Sequence, residues 1–252
     1  MCETHLNGDN SGMRRIAILG LALALLAGCG GGDGNKQSKA PVTPGATGGG
    51  GAVNAEVTKG LLGPSVDVEE GGTAVTGKIA PISPKEDRPT DAEANGVAGT
   101  VACASTTANP ASNNLSTMSA AILCLLNAER AAKGLPALHS NGALARAAKG
   151  WAKVMVSRPI FAHESGRSTV LSRIKRTGYV RGSWSLGENI AWGSGVLATP
   201  RAIVNGWMHS PGHRANILRG KFRDIGIGIK LGAPQRGLSG GATYVTDFGR
   251  HS

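Results

Sequence analysis

His209 and His213 stand four residues apart in "WMHSPGHRANIL", with Ser210 between them and Pro211-Gly212 directly after the serine. On an unbroken helix, two histidines at i and i+4 share a face and can hold a metal ion. A serine next to a histidine is instead the beginning of a nucleophile and base pair. Pro211 opposes the first arrangement, because it lacks a backbone donor and disfavours helical geometry at Ser210. The two histidines are therefore expected on different elements, and the stretch reads equally as the turn between two helices.

Elements that could position such groups follow from periodicity and caps. "SAAILCLLNAERAAKG" sets Ile122, Leu125 and Leu126 at helical spacing, with Ser119 as cap and Gly134 as stop. "NGALARAAKGWAKVMVSR" puts Leu144, Ala147, Ala148, Trp151, Val154 and Met155 on one face of a second helix before Pro159. After a loop holding "FAHESG", "STVLSRIKRTG" reads as a short helix with Val170, Leu171 and Ile174 inward, three basic residues outward and Gly178 at its end. "SLGENIAWGSG" has too many glycines for a helix and predicts an extended segment carrying Glu188 and Asn189. Thr199-Pro200 is a helix start, with the cap followed by proline at the first helical position. "IGIGIKLG" and "ATYVTDFG" alternate at period two and predict an antiparallel hairpin. Helices are expected first and strands last.

The chemistry-bearing part is also the basic part. Residues 101–252 hold 19 Lys and Arg against 5 Asp and Glu, a net of +14, whereas residues 1–100 have a net of −3, within the +11 of the whole chain. Every Trp, Phe and Tyr falls after residue 101, so the first hundred residues lack the large side chains of a core. "MRRIAILGLALALLAGC" has two arginines and then an apolar run, Ile16 to Ala27, too short to span a bilayer comfortably, and reads as a signal peptide over residues 1–28. The polar residues before Met13 make that methionine an alternative start. Leu26-Ala27-Gly28-Cys29 resembles the lipobox of bacterial lipoproteins, which implies cleavage before Cys29 and acylation of that residue. Stable membrane anchoring needs more than one acyl chain, and the lipoprotein modification supplies them. Residues 29–100, rich in Gly, Pro, Thr, Ala and Ser, read as a flexible linker that spans roughly 50 Å between Cys29 and Cys103 as a coil. Short ordered pieces fit near Val66 to Ile82. With Cys2 and Cys29 accounted for, Cys103 and Cys124 remain as an even pair in an exported domain and are expected to form a disulfide.

Four features occur in order over residues 119 to 250: "LLNAERAAKGLPAL", "FAH", "GENIAWG", and "GWMHSPGHRANIL" followed by "IGIG" and "DFG". This set resembles the CAP superfamily (cysteine-rich secretory proteins, antigen 5 and pathogenesis-related protein 1), in its bacterial SCP-like branch. The resemblance implies an α+β fold, an α-β-α sandwich over residues 101–252, with a cleft lined by histidines and acidic residues that binds zinc or another divalent metal in several members. By position it carries over His163, Glu188 and His213 as cleft and metal-ligand candidates, with Asn189 beside Glu188 and Asn216 in place of a glutamine. Where animal and plant members have a second glutamate, three residues after the helical tryptophan, this chain has Ser210.

Three uses of that cleft stay open. Two imidazoles and one carboxylate can fill three positions of a tetrahedral zinc site and leave the fourth for water. Alternatively, Glu188 accepts hydrogen bonds from His213 and backbone donors and simply ties the loop to the sheet. A serine-type or metal-dependent hydrolase acting on peptides or envelope components would use Ser210, His213 and Glu188, and needs an acid behind the histidine and an oxyanion hole. The tryptophans read as core and cleft wall rather than carbohydrate platforms. The balance favours a binding module over an enzyme: an exported lipoprotein of the cell membrane or outer membrane, facing away from the cytoplasm. Its basic domain would attract anionic envelope polymers or lipids and weaken with salt. Nucleic acid is not an expected partner, and a lipid- or sterol-binding module is a third reading.

Overall fold

The computed structural model describes residues 59–69, 72–76, 78–82 and 102–252. The expected signal peptide, Cys29, Cys2 and much of the linker lie outside these residues. In chain order the elements are β1 (Gly60–Glu69), β2 (Gly72–Thr76), β3 (Ala80–Pro81), α1 (Leu115–Ala131), β4 (His139–Ser140), α2 (Gly142–Ser157), α3 (Val170–Arg176) and β5 (Trp184–Gly193). A single 3-10 turn, Gly195–Ala198, then leads to α4 (Pro200–His209), α5 (Pro211–Ile217), β6 (Asp224–Leu231) and β7 (Ala242–His251). Among the described residues no helix is long and apolar enough to cross a membrane.

The strands form one seven-stranded sheet in the order β2-β1-β5-β7-β6-β4, with β3 also on β1. Only the β4–β6 pairing is parallel among these. Period-two alternation sends side chains of β5 and β7 to opposite faces. Leu186, Ile190, Trp192 and Val245 pack with α2 and α3, together with Val66 and Val68 of β1. Ala191, Tyr244 and Phe248 pack with Met118, Ile122 and Leu126 of α1, Ile203 and Trp207 of α4, and Ile217 of α5. The result is the α-β-α sandwich and α+β class expected.

Local chemistry explains most element ends. Asn141 accepts from the backbone N–H groups of Ala143 and Leu144 at the start of α2, and Thr169 forms a capping box with Ser172 on α3. Thr199 caps α4 ahead of Pro200, as predicted. The glycines of "IGIG" serve close approach: a β-carbon at Gly226 or Gly228 would overlap the α2 backbone at Leu144 to Lys149. Arg130, fully buried at the end of α1, donates to the carbonyls of Pro136, Ile217, Arg219 and Phe222, joining α1 to the segment after α5. Cys103 and Cys124 are disulfide-bonded, tying the start of the domain to α1.

Several expectations are corrected. The ordered pieces allowed near Val66 to Ile82 are strands, and the linker reading fails further back, to Gly60: β1 pairs antiparallel with β5 from Gly60↔Gly193 to Glu69↔Ser185 and buries Leu62, Val66 and Val68. Strands therefore open the folded part as well as close it, and β5 lies between α3 and α4 in the chain. α1 begins at Leu115, four residues before the proposed Ser119 cap, and the Ser119 hydroxyl donates to the Leu115 carbonyl within the helix. Of the three basic residues placed outward on α3, Arg173 is turned in and is 5% exposed.

Candidate functional site

The loop after α2 is fixed at both sides. Trp151 Nε1 donates to the Ala162 carbonyl at 2.9 Å, and Arg173 donates to the His163 carbonyl at 2.8 Å. This places the His163 ring over β5, where its Nδ1 lies 2.6 Å from Glu188 Oε1. The second oxygen of Glu188 accepts from Arg173 at 2.6 Å. His163, Arg173 and Glu188 are 3%, 5% and 0% exposed, so the bonds are made away from water. The Arg173 guanidinium also stacks 4.0 Å above Trp151. His163 Nε2 meets the Pro64 carbonyl, at a shift in the β1–β5 register between Leu62 and Ser65.

Burial alone would raise the Glu188 carboxyl, but the Arg173 charge and the His163 hydrogen bond outweigh it and hold the group below the usual carboxylate range. Asp247 of β7 sits directly opposite Glu188, also fully buried. Burial, then the Glu188 charge, push Asp247 well above the ordinary range despite Arg173. The facing pair is thus biased in opposite directions, Glu188 toward its ionised form and Asp247 toward its protonated form.

His213 occupies the first turn of α5, and its Nδ1 lies 2.7 Å from Ser210 Oγ. Ser210 is extended (φ −103°, ψ 117°) and separates α4 from α5, so His209 and His213 are on different helices, as the proline implied. His209 is exposed and bonds to the Asn205 carbonyl. Burial, and then the nearby His163, push the His213 imidazole down to about 3, against the opposing influence of the Pro64 and Gly63 backbone. His213 Nε2 is buried and has no side-chain hydrogen-bond partner. Asn189 and Asn216 act on the backbone instead. Asn189 Nδ2 donates to the His213 carbonyl at 3.1 Å, and Asn216 Nδ2 donates to Asn189 Oδ1 and the Val66 carbonyl, each at 3.0 Å. Together they clamp α5 onto β5 and β1.

The donor set does not suit a metal ion. Both Glu188 oxygens and both His163 nitrogens already face protein partners, and the Arg173 charge lies 2.6 Å from the carboxylate a cation would need. Among the described residues no group of three or more His, Cys, Asp or Glu is arranged to hold a metal. The expected Glu188–His213 hydrogen bond is replaced by bonds from His163 and Arg173. Two members of the network escaped the sequence reading. Arg173 lies three residues after the inward Val170 and so on the buried face, and Asp247 occupies a buried position in a strand of alternating pattern; each was a charge where charges are rarely buried unpaired.

A buried His–Glu–Arg network on an α-β-α sandwich, with a second histidine beside a helix break, defines the kind of protein to compare. Residues 123–247 match the family model "CAP: Cysteine-rich secretory protein family". Residues 123–247 are thus a CAP domain, of the bacterial branch. It is 33% identical over 123 residues to an uncharacterized protein, YkwD, of Bacillus subtilis (strain 168), covering 48% of this chain and 46% of that protein. The chain thus spans about half the length of that curated relative. Among solved structures, an extracellular SCP-domain protein of Bacillus anthracis is 26% identical with TM-score 0.43, covering 57% of this chain and 45% of the other. An outer surface protein of Borrelia burgdorferi is 18% identical with TM-score 0.46, covering 57% and 99%.

Proposed function

We propose that this chain is an exported binding module of the bacterial cell envelope, built on its CAP domain and held to a membrane through lipidated Cys29. The observation that carries the reading is the state of Glu188: both oxygens are engaged by His163 and Arg173 in a dry network, which leaves no free carboxylate to bind a cation or orient a base. The network joins the loop after α2, α3 and β5, and its work is architectural. The disulfide supports export, since such bonds persist in oxidising compartments. The +14 of residues 101–252 supplies long-range attraction for anionic polymers or lipid head groups, weakened by salt.

The serine-hydrolase reading has one observation in its favour, the 2.7 Å approach of Ser210 Oγ to His213 Nδ1. Two things weigh against it. No carboxylate bonds the far nitrogen of His213, and the imidazole, pushed down to about 3, is a weak base at neutral pH. The experiment pairs a serine-reactive phosphonate with sedimentation on anionic and zwitterionic vesicles at low and high salt. Salt-sensitive retention on the anionic surface, with Ser210 unlabelled, is expected. Labelling that disappears in Ser210→Ala, or turnover of peptide or ester substrates, would overturn the binding-module reading. Separately, Cys29→Ser is expected to release the protein from the membrane fraction.

A further inference from the structure

Between α2 and α3 lies a cavity of about 290 Å³ whose lining includes Arg146, Trp151, Ser168, Arg173, Arg176 and Thr177. Three arginines line one small space, and no acidic side chain lines it. Glu188 neutralises Arg173 from the interior side, and the Arg146 and Arg176 charges meet no acidic partner in the lining. Arg146 and Arg176 are exposed and reach the cavity from its rim, while Arg173 forms its floor, stacked on Trp151. Arg173 has its two terminal nitrogens committed to the His163 carbonyl and Glu188, but its Nε is buried and has no hydrogen-bond partner. A buried charged donor without a partner is costly, and it adds to the positive field at the cavity floor.

We propose that this cavity is a binding site for a phosphate group, a role that rests on the reading of the chain as a binding module and gives that module a specific ligand chemistry. Guanidinium forks match phosphate oxygens in bidentate geometry, and the two rim arginines with the Ser168 hydroxyl suit a tetrahedral anion better than a planar carboxylate. The volume is at the small end of ligand sites, enough for a phosphate with its immediate substituent and too small and too charged for a sterol. Arg173 links the site to the interior, since the guanidinium on the cavity floor also holds Glu188.

The test uses the full chain and titrates pyrophosphate by calorimetry at low ionic strength. Arg146→Gln with Arg176→Gln alters only exposed side chains, and Lys230→Gln with Arg250→Gln removes the same charge from exposed positions outside the cavity. Loss of the two charge-assisted contacts is expected to weaken binding at least about tenfold, with the control pair staying within about twofold. Equal weakening in both pairs would reduce the effect to net charge and overturn the site, as would no binding to the unaltered chain. Vesicles containing phosphatidic acid separate the sources. Retention lost in the cavity variant supports a lipid phosphate, and pyrophosphate binding without variant-sensitive retention supports a soluble or polymeric one. Labelling of Ser210 would end the binding-module reading while leaving the pyrophosphate titration to decide the cavity on its own.

Discussion

Glu188 of β5 and Asp247 of β7 face each other across one rung of the sheet, both with no solvent exposure. Two carboxylates directly opposite in a dry interior cannot both ionise cheaply. Arg173 and His163 decide which one does, because both bond to Glu188, while Asp247 has only Glu188 itself as a side-chain hydrogen-bond partner.

Asp247 therefore makes the protein less stable as pH rises. Its folded-state proton affinity lies above its unfolded value, so its contribution is complete below about pH 4 and is lost as pH rises from there toward its raised native value. Asp247→Asn keeps the shape and removes the titration. Urea unfolding at intervals between pH 4 and 8 should show the variant gaining on the parent as pH rises. Parallel profiles would show that Asp247 does not carry the proton assigned to it.

His213 acts in the opposite direction. Its imidazole, held at about 3 against an ordinary value near 6.5, stabilises the fold in its neutral form, and that stability is lost as pH falls through the interval between them. In His213→Gln the loss between pH 6.5 and 5, above the range where ordinary carboxylates titrate, should be reduced. Thermal midpoints across that window check it, and an unchanged acid slope would contradict the burial argument.

Arg173→Met should be the most damaging single change in the network, since it leaves Glu188 buried without its main counter-charge. Breaking a buried pair in this way costs about 3–5 kcal/mol. Adding Glu188→Gln should restore part of the loss, with a coupling of at least about 1 kcal/mol in the double-mutant cycle. Additive losses measured in urea would mean that the 2.6 Å contact carries no net coupling.

The contrast between what was and was not legible in the sequence follows the range of the interactions. The β6–β7 hairpin, the Thr199-Pro200 start of α4 and the separation of His209 from His213 were readable, because period-two alternation and proline geometry act within a few residues. β1 was hidden: "GLLGPSVDVE" lies in a Gly- and Pro-rich stretch, and its partner β5 is more than a hundred residues further along the chain. Of the site, His163, Glu188 and His213 were named by resemblance. Arg173 was assigned to solvent with its basic neighbours on α3, and only the placement of Glu188 and Trp151 on other elements shows why it turns inward.

The Cys103–Cys124 disulfide closes a loop with a sequence separation of 21. On the loop-entropy account it contributes about 3 kcal/mol by restricting the unfolded chain. Replacing both cysteines by serine should lower the thermal midpoint by about 6–12 °C for a domain of this size. Reduction of the unaltered protein should reproduce the shift, whereas a midpoint insensitive to both would remove the disulfide from the stability argument.

The strand that the composition concealed provides the last prediction. Val66 is fully buried, lies in register with Glu188 and packs among Leu144, Val170 and Ile174. If β1 is an integral strand, Val66→Ala removes two buried methyl groups' worth of apolar contact and leaves a small void, costing about 2 kcal/mol. The same substitution in an undocked tether would cost nothing measurable. Urea denaturation of the full chain distinguishes the two, and protection of the Val66 and Val68 amides from hydrogen exchange should fall in the variant along with global stability. Because β1 also brings the Pro64 carbonyl to His163, loosening the strand should shift the His163 imidazole resonances as well, and an unmoved His163 would separate β1 from the site.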